Sequence, residues 1–166
     1  MDKEYMWKTT VDCVDFSIKE PAPFDPKWFT PKHNGAGFRY EIAMAIFSSN
    51  VVWFSGPYPC GEHQDLTIFK KRGLRTLLKN ANERCIADGI YKDPRVSEKH
   101  KGCKEWRRAK SRFRARHETV NSRLKSFKIL EDRFRYNEEK FKVCFKACLF
   151  FTQIDLKYHP LMESFD

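Results

Sequence analysis

Three acids stand where a carboxylate can hold a metal ion: Asp12 in "VDCVDFSI", Asp88 closing "ERCIAD", and Glu118 in "RARHETVNSRLK". Carboxylate oxygens are the donors that hard divalent cations select. A two-metal site needs one carboxylate between the ions and at least one more on each side, on rigid elements that keep the ions about 3.5–4 Å apart. Such a pair of ions activates water and neutralises charge that develops on the group under attack. Each acid also has a plain structural reading. Asp88 before Gly89 is a turn signal, Asp12 could be a solvated acid at a strand edge, against which its phase with Val14, Phe16 and Ile18 argues, and Glu118 can pair with Arg114 or Lys125 along a helix.

The elements that would carry these acids follow from periodicity. In "VDCVDFSI" Asp12 shares a strand face with Val14, Phe16 and Ile18, while Asp15 falls on the other face. After a Pro-rich connection, Phe38, Tyr40, Ile42, Met44 and Ile46 alternate as a second strand. "SSN" turns the chain into "VVWFSG", an antiparallel third strand. Leu66, Phe69, Leu74, Leu77 and Leu78 give a helical spacing over residues 62–81, weakened at Gly73, and "RCIAD" is the fourth strand. Phe113, His117, Val120, Leu124 and Phe127 recur at steps of four and three, an amphipathic helix with Glu118 at the edge of its buried stripe. A last helix starts from an Asn137 cap and runs to about Thr152. The order places one acid on the first strand, one at the end of the fourth, and one on the following helix. It predicts an α/β fold, a ribonuclease-H-like mixed sheet flanked by helices.

Composition narrows the partners. The 166 residues are 41 % hydrophobic and 15 % aromatic, enough for one domain with a real core spanning 1–166. Lys and Arg outnumber Asp and Glu by 32 to 22, a net charge of +10 that favours a polyanion. Much of the excess is local, since residues 99–116 hold nine Lys or Arg against Glu105 alone. We read Lys99, Lys101, Lys104, Arg107, Arg108, Arg112, Arg114 and Arg116 as a surface for DNA phosphates, with Trp106 packing down among them. The opening residues lack the apolar core of a secretory signal. "VCFKACLFF" is too short to span a bilayer and is interrupted by Lys146. The expectation is a soluble intracellular protein with no membrane partner. Six scattered cysteines without a CxxC pair read as free thiols. Asp65 reads as a helix N-terminal acid meeting the dipole, and His117, on the apolar stripe, as a core or supporting histidine. An RNA-binding module would need exposed stacking aromatics, whereas the aromatics here mostly alternate as core.

Taken in order, "VDCVDFSIKEP", "GFRYEIAMAIF", "VWFSGPYPCGEHQDLTIF", "ERCIADGIY" and "RHETVNSRLKSF" resemble the catalytic domain of Harbinger-type DDE transposases, from about Thr9 to Pro160. The resemblance implies that Asp12, Asp88 and Glu118 are the catalytic and metal-holding acids. It also implies magnesium as the cofactor, with manganese able to substitute, DNA as the substrate, and a nuclear location. Asp12 precedes Cys13 and Val14 where the family usually has Gly-Thr, and Ile90 stands where Gly is common. The family's catalytic domain normally follows a helical DNA-binding region, and the short stretch before the first strand gives no expectation of one in these residues. The expectation is therefore a catalytic domain alone, with a separate DNA-binding protein as a candidate partner. The alternative expectation is a domesticated or decayed derivative that binds DNA without cutting it.

Overall fold

The computed structural model describes residues 7–96 and 104–161, with the backbone alone for Glu105 and Trp106. In chain order the elements are β1 (Trp7–Ser17), β2 (Phe29–Thr30), β3 (Gly35–Ala45), β4 (Val51–Pro59), α1 (Asp65–Lys71), α2 (Leu74–Asn80), β5 (Arg84–Ile86), α3 (Lys104–Lys125), α4 (Lys128–Glu131) and α5 (Glu138–Tyr158). They form an α/β fold around a mixed five-stranded sheet. β1 pairs antiparallel with β3 on one side and parallel with β5 on the other. β3 in turn pairs antiparallel with β4 and, at its start, with the short β2.

Strand phase decides which layer each side chain meets. Val14 and Phe16 of β1, with Tyr40, Ile42 and Met44 of β3, face a helical layer that contributes Val120 and Leu124 from α3 and Phe141 and Phe145 from α5. Tyr40 stacks on Phe145 with ring centroids 3.6 Å apart. On the opposite face Val11 and Ala43 lie under Phe69, Leu74 and Leu78 of α1 and α2. Both faces of β1 and β3 are therefore covered. The alternation in β3 marks which layer a side chain enters, but its polar residues Arg39 and Glu41 are buried too.

Several boundaries differ from expectation for local reasons. The single helix expected over residues 62–81 is two, because Gly73 sits at φ +110°, where an L side chain is strained, and the chain changes direction there. The fourth strand stops at Ile86. Asp88 lies just beyond, in a turn closed by Tyr91 N–H donating to the Asp88 carbonyl at 3.0 Å. Asn137 caps α5 as expected, its side chain accepting from Lys140 N–H at 3.0 Å, but the helix continues past Thr152 to Tyr158. β2 and α4 are too short to show any period. Cys13, Cys60, Cys85, Cys144 and Cys148 are free thiols. No helix among the described residues is long and apolar enough to cross a membrane.

Candidate active site

One small pocket is lined by Thr10, Val11, Asp12, Asp88, Arg114, His117 and Glu118. The three acids singled out in the sequence thus reach one place from β1, the turn after β5, and α3. Parallel pairing of β1 with β5 sets the first two side by side. α3 packs across both strands and supplies the third.

Asp12 projects toward α3, where Asn121 Nδ2 donates to its Oδ2 at 3.4 Å. Burial pushes its carboxyl up to about 6, with the Cys13 backbone N–H, Lys32 and Arg114 pulling the other way. A carboxylate short of water in this way gains from a nearby cation. Asp88 accepts from Gly89 N–H at 2.6 Å through Oδ1, and the same oxygen lies 3.3 Å from Arg114 Nη2. Glu118 is exposed on α3. Arg114 pairs with Asp88 instead of with Glu118, the partner that helix spacing suggested.

His117 is buried, at 2 % exposure. Its Nδ1 lies 3.3 Å from Thr10 Oγ1, and its Nε2 has no hydrogen-bond partner. Burial pushes the imidazole down to about 4, so it is neutral at pH 7. It joins the core as expected, and it also forms part of the pocket wall. Thr10 and Asn121 were not singled out as site residues. Both signals were present: Thr10 shares the strand face of Asp12, and Asn121 lies three residues from Glu118.

The donor set suits a hard cation, since Asp12, Asp88 and Glu118 offer only carboxylate oxygen. The side-chain placement is looser than the donor chemistry. Among the described residues no three His, Cys, Asp or Glu side chains stand close enough together to hold an ion. Asp88 is turned toward Arg114, and Glu118 toward solvent.

A second polar cluster lies on the other face of the sheet. Arg39 grips Asp15 through two hydrogen bonds of 2.7 Å, reaches Asp65 at 2.9 Å, and donates to the His63 carbonyl at 3.0 Å. Thr30 Oγ1 adds a 2.8 Å bond to Asp15. Burial opposes the charge on Asp15, but the Arg39 hydrogen bonds and charge outweigh it and hold the carboxyl below its usual range. Asp65 is the first residue of α1, as its dipole reading requires. Its ion pair with Arg39 also ties that helix end to β3.

Of the basic run, Lys99 and Lys101 lie outside the described residues, as does the side chain of Trp106. Lys104, Arg107, Arg108 and Arg112 are exposed on α3. Arg116 instead donates to the carbonyls of Ile46 and Ser48, which ties α3 to the β3–β4 turn. Seven residues are nearly two full turns, so Arg107 and Arg114 lie on one side of α3 with Glu118 one turn beyond.

Comparison with protein-family models gave no match, and neither did comparison with curated proteins or with solved structures.

Proposed function

We propose that this chain is a metal-dependent DNA strand-cleaving and strand-joining enzyme of the DDE transposase type, built on a ribonuclease-H-like sheet. The observation that carries the reading is the shared pocket of Asp12, Asp88 and Glu118, three acids far apart in sequence. The strand order supports it: β4, β3 and β1 run antiparallel in succession, β5 follows parallel to β1, and Val96 bridges Cys85 in parallel beyond it.

In this reading Asp12, Asp88 and Glu118 hold magnesium or manganese. When bound, such ions lower the pKa of water and neutralise charge on a phosphodiester. Asp12 supplies the most desolvated carboxylate, steadied by Asn121. Arg114 balances the Asp88 charge and would offer a positive charge to a phosphate at the pocket mouth. Neutral His117, with Nδ1 against Thr10, fixes the start of the Glu118 turn. Arg107 and Arg108, farther along α3, meet the DNA backbone without reading bases. Work on DNA would place the protein in the nucleus, with sequence choice supplied by a separate DNA-binding partner.

A second reading, a non-catalytic DNA-binding derivative, draws on the Arg114–Asp88 pair, which occupies one of the three acids. Incubation with supercoiled plasmid separates the two. The enzyme reading expects nicking with magnesium, none with chelator, and background levels for Asp12→Asn, Asp88→Asn and Glu118→Gln. Plasmid retention without nicking, equal in parent and variants, would overturn it in favour of binding alone.

A further inference from the structure

The face of α5 turned away from the sheet is apolar. Phe141, Phe145, Cys148, Leu149, Thr152 and Leu156 are buried on the inner side. On the outer side Val143 is 68 % exposed, Phe150 63 %, Phe151 56 %, Ile154 39 % and Tyr158 71 %, with Ala147 exposed among them. A helix apolar on both faces is ordinarily covered on both. At roughly 150–250 Å² per full aromatic side chain, this stripe leaves on the order of 500–600 Å² open. That is a large part of the roughly 800 Å² per partner of a standard interface and lies at the upper end of the largest patch found on a monomer.

The spacing of the stripe names its occupant. Positions 143, 147, 150, 151, 154 and 158 are separated by 4, 3, 1, 3 and 4 residues, the same series in either direction. At about 100° per residue they fall within about 50° of one line along the helix, mirrored about the midpoint between Phe150 and Phe151. Such a stripe is self-complementary under a twofold axis, which requires one patch to meet itself.

We propose that two copies of this chain pair through α5, antiparallel, about a twofold axis between Phe150 and Phe151. Phe150 then meets the partner's Phe151, and Ala147 meets the partner's Ile154, small against large. Val143 meets the partner's Tyr158. A mainly apolar groove lined by Ile129, Phe134, Tyr136, Val143 and Cys144 is ready at that end to take the ring. The pairing is independent of whether the pocket on α3 cuts DNA, since none of these residues lines it.

Sedimentation velocity over a concentration series tests the pairing. The parent should sediment as a dimer at tens of micromolar. The double variant Phe150→Lys, Phe151→Lys should sediment as a monomer with unchanged far-UV circular dichroism, because both residues are solvent-facing. Oxidation then tests the geometry. Ala147→Cys together with Ile154→Cys should cross-link two copies, whereas Ala147→Cys alone should not, because the twofold leaves the two 147 positions about 10 Å apart along the helix. A parent that stays monomeric, a dimer that survives both lysines, or cross-linking by Ala147→Cys alone would each overturn the proposal.

Discussion

Arg114 Nη2 stands 3.3 Å from Asp88 Oδ1, so a cation carried by α3 already faces the carboxylate beyond β5. Both side chains are more than a third exposed, and a pair of that kind contributes at most about 1 kcal/mol. Its consequence is competitive more than stabilising. Arg114→Gln should leave the metal-free melting temperature nearly unchanged. It should enlarge the rise in melting temperature that magnesium produces, because Asp88 becomes available to the ion and binding to the folded state adds stability by mass action. Thermal unfolding over a magnesium series reads this directly. Equal metal-induced shifts in parent and variant would remove Asp88 from the ligand set.

The Arg39–Asp15 pair predicts the opposite balance. Arg39 is 9 % exposed and Asp15 1 %, so removing one partner leaves a buried charge poorly matched. Asp15→Ala should cost about 3–5 kcal/mol, read as a lower urea midpoint with an unchanged slope. Adding Arg39→Met should recover part of that loss, since a buried guanidinium left with Asp65 as its one carboxylate partner goes with it. Strict additivity of the two substitutions would show that the pair is not energetically coupled.

These two pairs also mark what the sequence could reveal. Asp12, Asp88 and Glu118 were legible as candidates because strand phase and helix phase are local properties, and the pocket that brings them together needs only the order of the elements. The break at Gly73 was visible as a weak helix position, although its positive φ depends on how α1 and α2 fit over the sheet. The Arg39 network was not legible. Nothing local distinguishes a polar residue facing water from one facing a second helical layer, and only the docking of α1 and α2 buries Arg39 and Glu41. The same limit hid the role of Arg116. Its place in a basic run suggests phosphate, while its guanidinium is spent on two backbone carbonyls.

That difference within the basic run can be measured. Arg107→Ala with Arg108→Ala should weaken binding to all DNA sequences alike and lower the slope of log affinity against log salt by about 2, close to one unit per lost phosphate contact. Melting temperature should hardly move. Arg116→Ala should do the reverse, lowering melting temperature through the lost tie to Ile46 and Ser48 while leaving the salt slope close to the parent's. A full salt slope in the Arg107/Arg108 variant would move the DNA surface elsewhere.

Glu41 provides a test that depends on pH. It is fully buried on β3, where Trp53 Nε1 donates to its Oε2 at 3.2 Å and Oε1 has no partner. Burial pushes its carboxyl from 4.5 up to about 7, the Trp53 bond working against the shift and the Asp65 charge adding to it. In the unfolded chain this acid loses its proton near its ordinary value, whereas the folded chain keeps it until about 7. The unfolded state therefore gains from rising pH first. The contribution of Glu41 is full below pH 4.5, declines as pH rises toward 7, and stays low above, a loss on the order of 3 kcal/mol. Glu41→Gln retains an acceptor for Trp53 and does not titrate. The melting temperature of the variant relative to the parent should accordingly be higher at pH 7.5 than at pH 4. Effects that do not vary with pH cancel in that comparison, and Asp12 and His117 titrate alike in both proteins. A difference that stays flat across this range would mean that Glu41 ionises normally in the fold, with water reaching the space between β3 and the α1–α2 layer.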